Sequence, residues 1–301
     1  MPARLSLGTV LKQMLQRRDA PIVPGAANAL SARVIADLGF EAIYVTGAGV
    51  TNMSLGVPDL GLVTLSELAG HVAAIRDVVE LPLIVDADTG FGNPVNTVRT
   101  VRILERSGAN GIQLEDQVFP KKCGHFDGKD VIPAAEMAQK IRAAVDTRRD
   151  ADFQVIARTD ARAVEGLAAA LDRARLYVEA GADATFVEAP AGVAELARIA
   201  ADLPVPQVVN LVFGGRTPLV PRGELQRMGY GMVLYANAAL QGALWGMQNA
   251  LVALRRDGEL DRVKHQLATF DERQRLVDKA AFDALEQRYV TGLTPAGKAG
   301  R

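Results

Sequence analysis

One cysteine occurs in the 301 residues, and it stands in the string Lys121-Lys122-Cys123-Gly124-His125. Neighbouring lysines and a histidine favour the thiolate, and the glycine lets the backbone bend sharply around it. A lone cysteine is more often a small buried hydrophobe. Pro120, the paired lysines and Gly124 describe a loop instead, so a chemically active thiol is expected. Upstream lie two groups of acids, Asp86-Ala87-Asp88 and Glu115-Asp116. Alternation along an extended segment puts Asp86 and Asp88 on one side. Two carboxylates so close repel unless a cation sits between them or one is protonated. Oxygen ligands of this kind suit hard divalent cations such as Mg²⁺. Capping of the next helix is the plainer alternative, but Asn93-Pro94 already supplies that start.

Two further motifs could handle a carboxylate substrate. Thr46-Gly47-Ala48-Gly49 offers backbone N–H groups unobstructed by side chains. A dinucleotide reading of its glycines is weak, because Asn52 stands where a third glycine is needed. Arg158 can either pair with Asp160 or clamp a substrate carboxylate with two parallel hydrogen bonds, and the clamp is favoured.

These residues need a scaffold that brings them together. Apolar runs at Pro21–Gly25, Ala42–Thr46, Leu83–Asp86, Gly111–Glu115, Phe153–Arg158, Ala184–Glu188, Gln207–Asn210 and Gly231–Tyr235 read as eight strands. Strands apolar throughout are buried on both faces, as in a parallel sheet. Between them, stretches such as Ala29–Leu38, Leu65–Val79, Val95–Arg106, Ala134–Val145, Leu167–Ala180 and Val193–Ala201 carry apolar residues at helical spacing. The expected fold is an α/β, TIM-type (β/α)8 barrel, with an open doubly wound sheet as the alternative. Thr46, Asp86, Glu115, Arg158, Glu188 and Asn210 decide for the barrel. They end six separate strands, and in a barrel those ends converge on one mouth. The barrel is expected over residues 1–257. Helical patterns continue from Ala238 to Arg255 and, past Gly258, from Asp261 to Gln287. Residues 258–301 are therefore expected as a helical segment packing on a neighbouring subunit.

Composition narrows the function. With 49% hydrophobic residues the chain can bury a large core. A net charge of −1 without a basic face argues against nucleic acid. Three histidines and one cysteine leave too few ligands for a His/Cys zinc site. No apolar run approaches the roughly 20 residues of a membrane helix. Met1 to Gln16 has no signal-peptide pattern, and the single thiol fits a reducing cytosol. The expectation is a cytoplasmic enzyme acting on a small carboxylate.

Asp86-Ala87-Asp88-Thr89-Gly90-Phe91-Gly92, Gln113-Leu114-Glu115-Asp116-Gln117, Lys121-Lys122-Cys123-Gly124-His125 and Ala157-Arg158-Thr159-Asp160-Ala161 together resemble the signatures of the isocitrate lyase/phosphoenolpyruvate mutase superfamily. The chain looks most like its methylisocitrate lyase and dimethylmalate lyase branch; the phosphonate mutases usually lack the loop cysteine. The resemblance implies a lid bearing Cys123 and a homotetramer that exchanges C-terminal helices. It implies Mg²⁺, replaceable by Mn²⁺, on Asp86 and Asp88, with Glu115 and Asp59 around its waters. Tyr44, Thr46, Gly47 and Ala48 would meet the 2-oxo-acid half of the substrate. Arg158, Glu188 and Asn210 would hold the other half, with Gly124 and His125 closing over it and Cys123 donating a proton. The implied reaction is cleavage of a 2-hydroxy dicarboxylate to pyruvate or another 2-oxo acid plus a carboxylic acid. Carboxyphosphonoenolpyruvate-type phosphomutation, hydrolysis or decarboxylation of oxaloacetate, and simple binding are the competing readings. Methylisocitrate lyases carry arginine where this chain has Gln241 and, further on, near Phe270. Leu211-Val212-Phe213-Gly214-Gly215-Arg216 also replaces a more polar segment. A smaller dicarboxylate with apolar substituents is therefore expected, Arg216 being the one residue that could replace the missing arginines.

Overall fold

In a computed structural model, which describes residues 5–122, 124 and 128–290, the eight apolar runs form eight strands. They are β1 Ile22–Ala26, β2 Ile43–Val45, β3 Leu83–Asp86, β4 Gly111–Glu115, β5 Gln154–Thr159, β6 Ala184–Val187, β7 Gln207–Asn210 and β8 Met232–Tyr235. Each pairs in parallel with the next, and β8 pairs with β1 to close the barrel. The open sheet is thereby excluded. Strand ends shift slightly from expectation. Thr46 leaves β2 because its hydroxyl accepts the Gly49 N–H and caps a helix, and Glu188 lies one residue beyond β6.

The helices around the barrel are α1 Leu7–Arg17, α2 Ala29–Asp37, α3 Gly47–Leu55, α4 Leu65–Arg76, α5 Pro94–Arg106, α6 Ala134–Thr147, α7 Ala161–Val164, α8 Leu167–Glu179, α9 Val193–Asp202 and α10 Arg222–Met228; α11 Ala238–Asp257 follows β8. The sequence pattern missed α1, α3 and α7, and of α10 it marked only the stop at Met228-Gly229. In α3 the small residues of Gly47-Ala48-Gly49 give no apolar stripe, and they form a first helical turn where an open loop was expected.

Period-two alternation builds the site. Ile43 and Val45, Leu83 and Val85, and Ile112 and Leu114 pack outward among residues of α2, α4, α5 and α6. Tyr44, Ile84, Ile156, Phe186, Val208 and Leu234 point inward, and Leu11, Met14 and Leu15 of α1 join them from the N-terminal end. Two residues further along each strand, the same inward phase reaches Thr46, Asp86, Arg158, Glu188 and Asn210. A dry apolar layer thus supports a polar one.

The chain divides into two compact units, Met1–Gly242 and Ala243–Arg301, so the division falls inside α11, ahead of the expected break after Asp257. In the second unit the single helix expected over 261–287 is three pieces: a 3-10 turn at Asp261–Gln266, α12 Phe270–Leu276 and α13 Lys279–Tyr289. Thr269 restarts the helix by accepting the Glu272 N–H, and Asp278, at φ 57°, breaks it again. Ala253 is the one buried residue of α11, while Trp245, Leu251, Val252, Phe270 and Phe282 are exposed. No helix among the described residues is long and apolar enough to cross a membrane.

Candidate active site

Asp86 ends β3 with both oxygens engaged. Oδ1 accepts from the Gln113 side chain and the Asp88 N–H, each at 3.3 Å, and Oδ2 accepts from the Gly47 N–H at 3.3 Å. Gly47 lets the chain pass close to both acids: a Cβ would stand 3.1 Å from Asp86 Oδ2 and 3.4 Å from Asp88 Oδ1. Asp88, at φ 46°, turns its carboxylate toward Lys121, whose Nζ lies 2.7 Å from Asp88 Oδ1 and 2.5 Å from Asp59 Oδ1. Lys121 was expected only to tune the thiol; it is instead the buried counter-charge of two aspartates.

Gln113 and Glu115 share the inner face of β4. Gln113 also accepts the Tyr44 hydroxyl at 2.9 Å, so one amide orients both a phenol and a carboxylate. Alternation from Glu115 would have revealed it. The adjacent acid goes elsewhere: Asp116 accepts from Thr159 and Tyr177 and belongs to a structural network. Glu115 is 1% exposed, its Oε2 is 3.3 Å from Arg158, and its Oε1 is buried without a hydrogen-bond partner among the described residues.

Arg158 was given two possible roles, and its guanidinium is already held. Nε and Nη2 bond Asp160 at 2.9 and 3.1 Å, Nη1 faces Glu115, Nη2 lies 3.4 Å from Glu188, and the group sits 5.4 Å from the centre of the Phe186 ring. Gly124 packs directly on this group, since a Cβ there would come within 2.6 Å of Arg158 Nη2 and 2.7 Å of Glu188. Cys123 and His125 lie outside the described residues.

Tyr44, Thr46, Ala48, Asp59, Asp86, Gly124, Arg158, Glu188 and Asn210 line one small cavity at the barrel mouth, with Lys121, Phe186, Leu234, Ala236 and Asn237. Gly47 contacts it through Asp86. Arg216 is exposed and Gln241 donates to the Phe213 carbonyl at 3.1 Å; neither lines the cavity.

The electrostatics are those of crowded buried acids. Burial, with Asp86 and Asp59 adding to it against Lys121, pushes Asp88 up to about 7. Burial holds Glu115 well above the usual carboxylate range despite Arg158. Burial, then Asp86, likewise raises the Tyr44 phenol. Asp160 is lowered, because Arg158 and Lys129 together outweigh its burial. Among the described residues no three His, Cys, Asp or Glu side chains converge as a ready-made metal cage. The donor set nevertheless fits Mg²⁺, which takes one or two carboxylates and completes its shell with water and substrate oxygens. Asp86 and Asp88 are hard oxygen donors that both flank Gly47, burial and then Asp86 raise Asp88, and Glu115 Oε1 has no hydrogen-bond partner among the described residues.

Comparison with known proteins agrees with this architecture. The family model described as phosphoenolpyruvate phosphomutase matches residues 11–255. The chain is 43% identical over 282 residues to 2,3-dimethylmalate lyase of Eubacterium barkeri, covering 94% of this chain and 98% of that one. It is 44% identical over 265 residues to a 2-methylisocitrate lyase of Aeropyrum pernix, covering 88% and 85%. A crystal structure of 2,3-dimethylmalate lyase superposes with a TM-score of 0.89 at 32% identity, covering 99% of this chain and 100% of that chain.

Proposed function

We propose that this chain, which belongs to the phosphoenolpyruvate phosphomutase family, is a carbon–carbon lyase that splits a 2-hydroxy dicarboxylate into a 2-oxo acid and a carboxylic acid. The observation that carries this reading is the cavity in which Asp86 at the end of β3, Asp59 and Arg158 of β5 face one small space, with Asp88 beside it on Lys121. Mg²⁺, or Mn²⁺ in its place, would be held by Asp86 and Asp88, with Asp59 and Glu115 reached through water, and when bound would draw charge from the substrate hydroxyl and its adjacent carboxylate.

The residues divide the remaining work. Thr46, Gly47 and Ala48, at the start of α3, meet the 2-oxo-acid half. Glu115, facing Arg158 and with Oε1 unpartnered among the described residues, takes the hydroxyl proton in its ionised form. Tyr44 is less suited to that, because its O–H is already given to Gln113. As the C2–C3 bond breaks, the electron pair passes to the departing fragment as an enediolate. Arg158 and His125 balance its charge, with Glu188, Asn210 and Gly124 shaping the pocket around it. Cys123 as thiol then protonates the carbanion carbon. Phosphoryl migration would leave that thiol without a role.

The test is pyruvate release from 2-alkylmalates with Mg²⁺ and with EDTA, alongside oxaloacetate and phosphonopyruvate. The wild type is expected to form pyruvate from 2,3-dimethylmalate only with the metal; turnover of oxaloacetate or a phosphonate alone would overturn the reading. The same assay addresses specificity. Gln241 is committed to Phe213, Arg216 stands outside the cavity, and Phe186, Leu234 and Ala236 supply apolar wall. Among the described residues that line the cavity Arg158 is the single arginine, and a third carboxylate without its own charged hydrogen bond loses roughly 1.5–3 kcal/mol, or about 10- to 150-fold in kcat/KM. The expected order is 2,3-dimethylmalate above 2-methylisocitrate; a tenfold advantage for methylisocitrate would overturn it.

The proposal extends to a cytoplasmic homo-oligomer, a tetramer exchanging C-terminal helices. What supports it is the exposed apolar residues of α11 to α13, unusual for helices left to solvent. Sedimentation of the intact chain as a monomer would overturn this part alone.

A further inference from the structure

The β4–α6 connection is tied at several points. Its stems pair through the Val118 N–H to the Asp130 carbonyl at 2.9 Å and the Ile132 N–H to the Asp116 carbonyl at 2.8 Å. Inside them the Gln117 amide clasps the Lys122 backbone on both sides, at 2.8 and 2.9 Å, and Lys122 Nζ returns to the Gly128 carbonyl at 2.6 Å. These ties close the connection on itself. Besides Lys121, a second lysine reaches the barrel: Lys129 Nζ donates to the Gly124 carbonyl at 2.5 Å and to Asp160 Oδ1 at 2.6 Å. The side chains of Lys129 and Asp160 are 2% and 0% exposed.

Asp160 is the carboxylate that grips Arg158 through two nitrogens. One buried acid therefore sits between two cations, the first bearing on the cavity and the second holding Gly124 against that same guanidinium. A buried ion pair is a poor source of net stability, since desolvation offsets much of the attraction. Its position here has a different consequence. With Lys129 present, the Asp160 charge is shared between two cations, and less of it falls on Arg158. Without Lys129, Asp160 would neutralise Arg158 alone, and the Gly124 carbonyl would lose its seat above it.

We propose that Lys129 is a positioning residue: through Asp160 and the Gly124 carbonyl it keeps Arg158 electrostatically available and fixes the Gly124 backbone against it. The substrate in this inference rests on the lyase reading, but the coupling does not. Misplacement of a catalytic contact by about 1 Å can cost as much as 10²-fold. Lys129→Met is expected to stay folded by circular dichroism, to lose roughly 10- to 100-fold in kcat/KM for 2,3-dimethylmalate, and to bind oxalate, a mimic of the 2-oxo-acid half, within about twofold of wild type. Lys129→Arg should restore most of the loss. Iodoacetamide alkylation of the chain's single thiol, at Cys123 beside Gly124, reports the backbone seat whatever the substrate, and Lys129→Met should change its rate at least about threefold. A folded Lys129→Met with kcat/KM and alkylation rate both within threefold of wild type would overturn the inference, as would equal loss of oxalate binding. If Lys129→Met does not fold, a fully active Lys129→Arg would also overturn it, by reducing the residue to a stabilising charge. A wild type that turns over no 2-alkylmalate defeats the lyase reading, whereas the alkylation difference still decides the coupling.

Discussion

Asp86→Asn and Asp88→Asn are each expected to abolish turnover, and Mg²⁺ or Mn²⁺ is expected to restore chelator-treated wild type but neither variant. The two substitutions act differently on the protein itself. At Asp86, an amide can keep the acceptor for Gln113 and Asp88 only by setting its NH2 against the Gly47 N–H, 3.3 Å away, so some loss of stability accompanies the loss of activity. At Asp88 the sign reverses. Its carboxyl is pushed up to about 7 by burial and by Asp86 and Asp59, so the folded protein holds that proton more tightly than the unfolded chain does. Between roughly pH 4 and 7 ionisation therefore costs stability as the pH rises, and at pH 8 the whole cost is present. Asparagine does not ionise. In EDTA at pH 8, Asp88→Asn should melt no lower than wild type while remaining inactive, and at pH 4 this relative gain should vanish. Thermal melts at the two pH values and a pyruvate assay check the pair. Full wild-type turnover in excess EDTA after dialysis would remove the metal from the reaction.

Much of this site could be read from the chain because a barrel converts period-two alternation into convergence. Asp86, Glu115, Arg158, Glu188 and Asn210 lie on different strands, yet each stands two residues beyond an inward-facing side chain, so their meeting follows once the strands are found. What escaped the sequence depends on loops and on side-chain reach. Lys121 and Asp59 are 62 residues apart, and nothing local announces that an ammonium would bridge Asp59 and Asp88. Lys129 reads as one more charge in a polar loop until the stem at Asp116 and Ile132 directs it inward. Gly47-Ala48-Gly49 looked like open backbone because three small residues carry no helical stripe; the Thr46 cap, a tertiary choice, made them a helix. The long C-terminal helix failed for the opposite reason: helix formers fill the stretch, but Thr269 and Asp278 interrupt it.

Cys123→Ser should leave fold and oxalate affinity unchanged and lower kcat by roughly 10²- to 10⁴-fold, the usual worth of a positioned acid–base group. The reasoning begins with the carbanion, which needs a proton on carbon from a donor that releases it readily. A thiol, at about 8.5 and lower beside cations, does so near neutral pH, whereas a serine hydroxyl of similar size does not. Lys121 is not available to play the same part, because Asp59 and Asp88 hold it as an ammonium well above its usual range despite its burial. Tyr44 gives its proton to Gln113, and the Arg158 guanidinium cannot release one. Lys121, Tyr44 and Arg158 are thus engaged or unsuited as acids, and the thiol that precedes Gly124 in the chain is the donor proposed. KM is expected to move little, since serine keeps the volume of the side chain and the contacts of Lys122 and Gly124 are made by backbone. The pH profile separates this from simple damage to the loop: wild-type kcat should fall as the thiol ionises, and the residual activity of the serine variant should lose that limb. A serine variant within about threefold of wild type, with the alkaline limb intact, would assign the proton to another group and return Cys123 to the role of a loop residue.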